Sequence, residues 1–417
     1  MTFRQAEEYL LGLELFGMRF GLDRMHRLMT VLGLPQRRFE SIHVVGTNGK
    51  SSTVRFTAAI LARHGLRTGS YTSPHLRSFR ERVEVGEAPV SEQDFAAAVE
   101  QAAHAAGLVD RTADPDDVVT QFEALTAAAY HELARQEVEV AVVEAGLGGR
   151  YDATNVIPSR VQVLTGIDLE HTRWLGPRLE DIAEEKLAVV KDGATLVVPP
   201  DLDPAAMAVA ERVAGERRAR LVAARPAGDA DLDLRAAGGF QRANFALAAA
   251  AAEAFLGRAL DTAGVAAAAR ETRVAGRMDV VGQEPLTVYD GAHNPSGVDA
   301  LVASLDDVLG ERRPRVAVIG VLDDKDAAAM LRALLPRFER VVFTRSANPR
   351  ALSPATLVSL AEKLAPAVTA EAAADPHSAL ERARGLAGPG GAVIATGSID
   401  LIADLLREDR DARASTL

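Results

Sequence analysis

The feature that most narrows what this chain can fold into is the stretch His43-Val44-Val45-Gly46-Thr47-Asn48-Gly49-Lys50-Ser51-Ser52-Thr53. It joins an apolar run, Ile42 to Val45, through a glycine turn to a helix-compatible run that starts at Ser52. Strand, glycine turn and helix in that order predict a parallel α/β sheet, and Gly46-Thr47-Asn48-Gly49-Lys50-Ser51 is a shortened relative of the phosphate-binding loop. The glycines let successive backbone N–H groups close round a phosphate while the helix turns its positive end to the same point. Lys50 adds a mobile cation, and Ser51 or Ser52 offers a hydroxyl to Mg²⁺. An ordinary strand-to-helix turn can hold a lysine by chance, but here the flanking elements fit as well as the letters.

A chain of 417 residues is longer than a single core usually supports, so two domains of unequal size are expected. The boundary is expected near Thr272 to Gly276, giving residues 1–274 and 275–417. A net charge of −11 argues against nucleic acid or an anionic membrane as partner, while leaving room for a local basic cleft that receives phosphates. The chain has no cysteine, so disulfides and thiolate metal sites are excluded. Residues 1–12 lack the basic start and uninterrupted apolar core of an export signal, and the alanine-rich run Phe245 to Phe255 is short and contains Glu253. A cytoplasmic protein is expected.

Residues 1–30 read as helix, with Phe20 to Met25, including Asp23 and Arg24, at an edge of the cleft. After the loop helix ends near His64-Gly65, a strand Thr68 to Tyr71 delivers Thr72-Ser73-Pro74-His75-Leu76. Ser73 reads as a metal ligand or as the polar residue of a proline turn. Ser91 caps a helix expected to end at Gly107, and Asp110 to Asp117 reads as a polar loop. Thr120 to Thr126 opens another helix, in which Phe122 either stacks on a flat ligand or fills the core. The strand Val138 to Val143 ends at Glu144-Ala145-Gly146, so Glu144 falls on the sheet edge that faces the loop and is placed to hold Mg²⁺. A further strand, Val161 to Ile167, leads to Asp168-Leu169-Glu170-His171, where His171 is a second candidate for metal or phosphate. Glu184, Glu185 and Lys186 by themselves read as a solvated face. Asp192-Gly193 turns into a strand, Ala194 to Val198. Phe240 to Asn244 starts an alanine-rich helix, and Asn244 reads an adenine edge or caps that helix. The second half alternates strands (286–289, 316–319, 341–344, 392–395) with helical stretches, and Asp290 to Pro295 lies at a strand's carboxyl end. Arg277, at the junction, is placed to meet ATP phosphates on closure.

Joined in this order, several stretches resemble the folylpolyglutamate synthase and dihydrofolate synthase family, a branch of the Mur-type ligases. They are Gly46 to Lys50, Thr72 to Leu76, Phe122 to Thr126, Leu147-Gly148-Gly149-Arg150-Tyr151-Asp152-Ala153-Thr154-Asn155, His171 with Trp174-Leu175-Gly176, Asp290 to Pro295, and Asp324-Lys325-Asp326. The resemblance covers nearly the whole chain. It implies an N-terminal P-loop ATPase domain with a mainly parallel sheet and a smaller C-terminal Rossmann-like α/β domain. It also implies an ATP-dependent ligase that joins L-glutamate to the carboxylate of dihydropteroate or a reduced folate, with bacterial-looking relatives often doing both.

By the same resemblance, Asn48, Gly49, Lys50, Ser51 and Ser52 bind ATP phosphates, and Asn244, Arg277, Asp290 and His293 contact the nucleotide. Two Mg²⁺ sites are implied, Ser73 and Glu144 with a loop serine holding one and His171 helping to hold the second. Lys186 falls where the family carries a carbamylated lysine, which displaces the solvated-face reading. Lys50, Glu144, His171, Lys186 and Arg277 are the catalytic candidates. Asp23, Arg24, Phe122, Glu123, Tyr151, Asp152 and Ala153 match the pterin or folate pocket. Two departures stand out: Ser51 replaces a glycine usual after the lysine, and Glu170 replaces the aspartate usual before the histidine.

An acyl phosphate formed from ATP and the substrate carboxylate is the expected intermediate, since a carboxylate is otherwise a poor electrophile. A cell-wall Mur ligase is the sister alternative, opposed by how early the loop falls. A nucleotide-binding switch without ligase activity is the other, and it has no need of Glu144, His171 and Lys186 together. A monomer is expected.

Overall fold

The computed structural model describes residues 1–14, 21–114, 117–225 and 232–407. Eight strands build the first sheet: β1 (Glu40–Val45), β2 (Thr68–Tyr71), β3 (Val83–Val85), β4 (Ala88–Pro89), β5 (Val140–Glu144), β6 (Val161–Leu164), β7 (Thr195–Val198) and β8 (Arg220–Ala223). Their order is β4-β3-β2-β5-β1-β6-β7-β8, parallel from β2 through β8, with the β3-β4 hairpin antiparallel. Six more build the second sheet: β9 (Asp279–Gln283), β10 (Leu286–Tyr289), β11 (Arg315–Ile319), β12 (Arg340–Phe343), β13 (Thr369–Ala372) and β14 (Ala392–Thr396). Their order is β13-β12-β11-β14-β10-β9, with only β9 antiparallel.

β5 is apolar up to Glu144 and β1 is buried from Ser41 to Val45, because helices cover both faces of the sheet. Val140 and Val142 face a core shared with Val54, Phe56 and Phe245, and Ala141 and Val143 face one shared with Tyr71, Leu125 and Tyr130. The Phe56 and Phe245 rings meet edge-on at 5.2 Å, locking helix Lys50–Arg63 to helix Gly239–Leu256. With β1 central, the carboxyl ends of β2, β5, β1 and β6 lie side by side, which is where an open parallel sheet binds ligands.

Several boundaries depart from expectation. The first 30 residues form two helices, Phe3–Gly12 and Asp23–Val31, and Phe20 lies outside the described residues, as do Pro115 and Asp116 of the 110–117 loop. The loop helix begins at Lys50, since Gly49 at φ 83° is its cap. Helix Glu92–Asp110 runs through Gly107, whose lack of a side chain weakens a helix without ending it. β6 stops at Leu164, and the strand expected at 194–198 starts at Thr195. The stretch before Gly239 holds helix Pro204–Glu216 and β8. Among the described residues no helix is long and apolar enough to cross a membrane.

Candidate active site

The loop leaves β1 at Val45 and enters its helix through Gly49. A Cβ on Gly49 would lie 2.3 Å from Asn244 Oδ1, and one on Gly46 would lie 2.0 Å from Thr165 Oγ1. Both positions also have positive φ, so glycine alone permits this approach. Lys50 Nζ folds back onto the carbonyls of Gly46 and Thr47 at 3.1 and 3.0 Å. The sheet register pairs Val44 with Glu144 and Tyr71 with Val143, so the loop, Glu144 and the turn at Ser73 converge. Ser51 Oγ donates to Glu144 Oε1 at 3.0 Å, and the Ser73 backbone N–H donates to Oε2 at 3.1 Å. Ser52 is buried inside the helix. Burial pushes the Glu144 carboxyl up from its ordinary pKa, against the pull of Lys50, Ser51 and Ser73.

Helix Leu179–Leu187 splits its charged residues. Glu184 and Glu185 meet Arg212 and Arg150 near the surface at 2.8 and 3.1 Å, whereas Lys186 is buried and its Nζ donates to the Gly46 carbonyl at 2.8 Å. The solvated-face reading of Lys186 is therefore wrong. Desolvation, with Lys50 nearby, lowers its amine to about 7. His171 stands at φ 52° before the short helix Thr172–Leu175, and burial above all lowers its imidazole to about 4. A neutral imidazole at neutral pH keeps a lone pair for a metal.

The second half reaches across to the loop. Asn48 and Asn294 exchange amide hydrogen bonds at 3.1 and 3.2 Å, and Asn48 also donates to Ser296 Oγ at 2.9 Å. Glu170 Oε1 lies 3.3 Å from His293 Nε2 and 3.3 Å from Lys325 Nζ. Burial opposes its charge, but the hydrogen bond and charge of His293, then Lys325 and His171, hold it well below the usual carboxylate range. Asp290 is buried and accepts the N–H groups of Met278 and Ala292, both at 2.9 Å. Arg277 lies against Gly291, where a Cβ would come within 2.1 Å of its Nη1. Asn244 donates to Gln241 at 3.1 Å and leaves its Oδ1 beside Gly49.

Residues 276–399 match the family described as Mur ligase, glutamate ligase domain. The dihydrofolate synthase/folylpolyglutamate synthase of Mycobacterium tuberculosis is 35% identical over 373 residues, covering 79% of this chain and 75% of that protein. The chain belongs to the folylpolyglutamate synthase/dihydrofolate synthase family. The Mycobacterium tuberculosis folylpolyglutamate synthase complexed with ADP is similar at a TM-score of 0.89 and 32% identity, over 97% of each chain. A bifunctional folylpolyglutamate synthase/dihydrofolate synthase from Yersinia pestis, complexed with AMPPNP and a Mn ion, is similar at 0.83 and 29%, again over 97% of each.

The residues that the sequence matched to the pterin or folate pocket of a folylpolyglutamate synthase/dihydrofolate synthase sort into faces and braces. Phe122 is half-buried against Gly146, where a Cβ would come within 2.6 Å of its ring, and Tyr151 is 50% exposed. Asp23 is exposed and Ala153 buried. Arg24 Nε donates to both Glu123 oxygens at 3.1 and 3.0 Å and its Nη1 pairs with Asp117, so Arg24 and Glu123 brace helix Asp23–Val31 against helix Gln121–Arg135. Asp152 accepts from the N–H groups of Leu147 and Thr154 at 2.8 and 3.0 Å and shapes the glycine loop from within.

Four residues that hold the loop and the two halves together, Thr47, Thr165, Glu170 and Lys325, carried no assigned role in the sequence. Thr165 Oγ1 donates to the Asn48 carbonyl at 2.5 Å, and Thr47 Oγ1 accepts from the Asp168 N–H at 3.1 Å, so the end of β6 clamps the loop. Glu170 and Lys325 link the halves. Lys325 sat in a recognised motif, and the Glu-for-Asp departure at 170 was the one signal that a longer reach was needed.

Proposed function

We propose that the chain is an ATP-dependent carboxylate–amine ligase that adds L-glutamate to dihydropteroate and to reduced folates. The observation that carries this reading is Glu144, which joins Ser51 of the phosphate loop to the Ser73 turn through one buried carboxylate. The domain boundary is placed at 274/275, and the working unit is a monomer in the cytoplasm.

The donor set fits Mg²⁺. The Ser51 hydroxyl meets one oxygen of the single Glu144 carboxylate and the Ser73 turn meets the other, so a few hard oxygen donors converge there. Mg²⁺ suits such a site because it keeps water and substrate phosphate oxygens in its shell. Ser51, Ser73 and Glu144 would hold one ion and His171 would help hold a second. When bound, the metal supplies charge neutralisation on the phosphates.

Lys50, on the loop, and Arg277, at the junction, would neutralise the transferring phosphoryl group while the substrate carboxylate attacks the γ-phosphorus. The P–O bond to ADP breaks and an acyl phosphate forms. The free glutamate amine then attacks the acyl carbon, its proton leaves, and phosphate departs as the amide forms. Asn244, Asp290 and His293 would hold the nucleoside, and Asn48, Gly49 and Ser52 the phosphate cradle. Lys186 in its neutral form can add CO₂ to give a carbamate and a proton, replacing a buried cation by an anion beside the metal sites. Phe122 and Tyr151 would face the pterin, on a wall formed by Asp23, Arg24, Glu123, Asp152 and Ala153.

Glutamate-dependent ADP release tests the site. Lys50→Ala and Glu144→Ala are each expected to lower kcat by roughly a hundredfold or more, the usual loss for a preorganised charge-stabilising group. Near-normal rates in both variants would remove the assignment.

A further inference from the structure

Beside the reaction centre lies a cavity of about 860 Å³, within the range of sites that enclose a small ligand. Six arginines line it: Arg77 after the Ser73 turn, Arg235 ahead of helix Gly239–Leu256, Arg273 and Arg277 in the crossing between halves, Arg384 on helix Pro376–Ala387, and Arg407 after helix Ile399–Leu406. Among the described residues two carboxylates, Asp279 and Glu381, share the lining. In a chain of net charge −11, this local excess of cations makes a field directed at an anion.

Arg273 is committed to Asp279 at 2.9 and 3.0 Å. The others mostly touch neutral acceptors at long range: Arg235 the Glu271 carbonyl at 3.3 Å, Arg277 the Gly276 carbonyl at 3.4 Å, Arg384 the Thr287 hydroxyl at 3.4 Å. Arg407 is only 7% exposed; it pairs with Asp404 at 3.1 Å and donates to the Leu76 carbonyl at 3.2 Å, yet its buried Nε–H has no acceptor among the described residues. Two contacts connect the cavity to the proposed reaction centre. Arg277 belongs to cavity and centre alike, and the Arg407–Leu76 bond ties the cavity wall to the turn that carries Ser73.

We infer that this cleft holds the α-carboxylates of a γ-linked glutamyl chain already attached to the folate substrate. The inference rests on the ligase reading above. Each round consumes one carboxylate as an amide and brings two with the incoming glutamate, so the product gains one negative charge and an elongating substrate becomes a polyanion. Planar guanidinium forks match carboxylates two bonds at a time, which a lysine cannot do.

The test compares folates bearing one and three γ-linked glutamates, with the full chain, ATP, Mg²⁺ and L-glutamate. In Arg384→Gln and Arg235→Gln, KM for the triglutamate is expected to rise roughly fivefold each, the upper range for a partly exposed ion pair. KM for the monoglutamate and for ATP is expected to stay within about twofold of wild type. Arg77→Gln, on an exposed turn, repeats the test away from the domain packing. A free tri-γ-glutamate peptide is expected to compete with the triglutamate substrate, and loss of that competition in the double variant Arg235→Gln/Arg384→Gln supports the assignment. Equal shifts for both tail lengths, or equal competition by inorganic triphosphate, overturn it as a mere anion trap. A wild-type chain that uses dihydropteroate but no glutamylated folate overturns it too. Absence of glutamate-dependent ADP release with every substrate defeats the ligase reading and the inference together, whereas normal activity with unshifted tail dependence defeats the inference alone.

Discussion

Lys186 shows what one buried amine does in such a site. Its Nζ is held 2.8 Å from the Gly46 carbonyl, and burial beside Lys50 lowers its pKa from 10.5 to about 7. Near neutrality a large fraction is therefore the free amine, the form that reacts with CO₂. The account predicts that activity falls in buffer stripped of CO₂ and returns with bicarbonate. Lys186→Arg, which stays cationic, is expected to lose roughly a hundredfold in kcat, and a short free carboxylate is expected to restore part of the activity of Lys186→Ala. Equal rates with and without bicarbonate would count against the carbamate. Local sequence alone put this residue on a solvated face, because Glu184, Glu185 and Lys186 are adjacent in the chain, and the family resemblance displaced that reading; the helix's rotation, which sends Lys186 inward, separates the three.

At the scale of the element, β1 carries an uncommon passenger. His43 is fully buried, with Nε2 2.8 Å from Thr154 Oγ1, and burial lowers its imidazole to about 3. Below its ordinary pKa of 6.5 the unfolded chain takes up a proton that the folded chain refuses until about 3, so the unfolded state binds more protons and stability falls as pH falls through that window. From pH 7 to pH 5 the loss from this group is about 2 kcal/mol, and His43→Gln is expected to show a shallower decline in denaturant titrations at the two pH values. An unchanged decline would mean that other buried groups carry the acid sensitivity. The fold's central strands were legible because Val140 to Val143 of β5 is an unbroken apolar run and Ile42, Val44 and Val45 of β1 lead straight into Gly46. The edge was not. β13 reads Thr-Ala-Glu-Ala, in which Ala and Glu disfavour a strand and sheet pairing overrides them, and the β3-β4 hairpin turns at Gly86 and Glu87 within a charged stretch. Helix Pro204–Glu216 hid in alanines without a strong apolar stripe.

Across the whole molecule, two sets of contacts bring the halves together over the loop, the Asn48–Asn294–Ser296 amide cluster and Glu170 with His293 and Lys325. The second is the sturdier link, since removing one partner of a desolvated charge pair leaves the other unpaired. Glu170→Gln is expected to lower kcat roughly tenfold or more and to enlarge the ATP-bound molecule in small-angle scattering. An unaltered kcat and envelope would show that the link is incidental. The strand-end positions of Glu144 and Asp290 were readable from sequence because each closes a run rich in apolar residues. Contacts between the halves were not, because Glu170 and Lys325 are 155 residues apart and the longer arm at 170 does not say which residue it reaches. The most direct test of the central claim is ADP release by the purified wild-type chain with Mg²⁺, ATP and L-glutamate, using dihydropteroate and a reduced folate monoglutamate in turn. The account predicts glutamate-dependent release with both substrates. Release with neither, from a chain that still binds ATP, would contradict it.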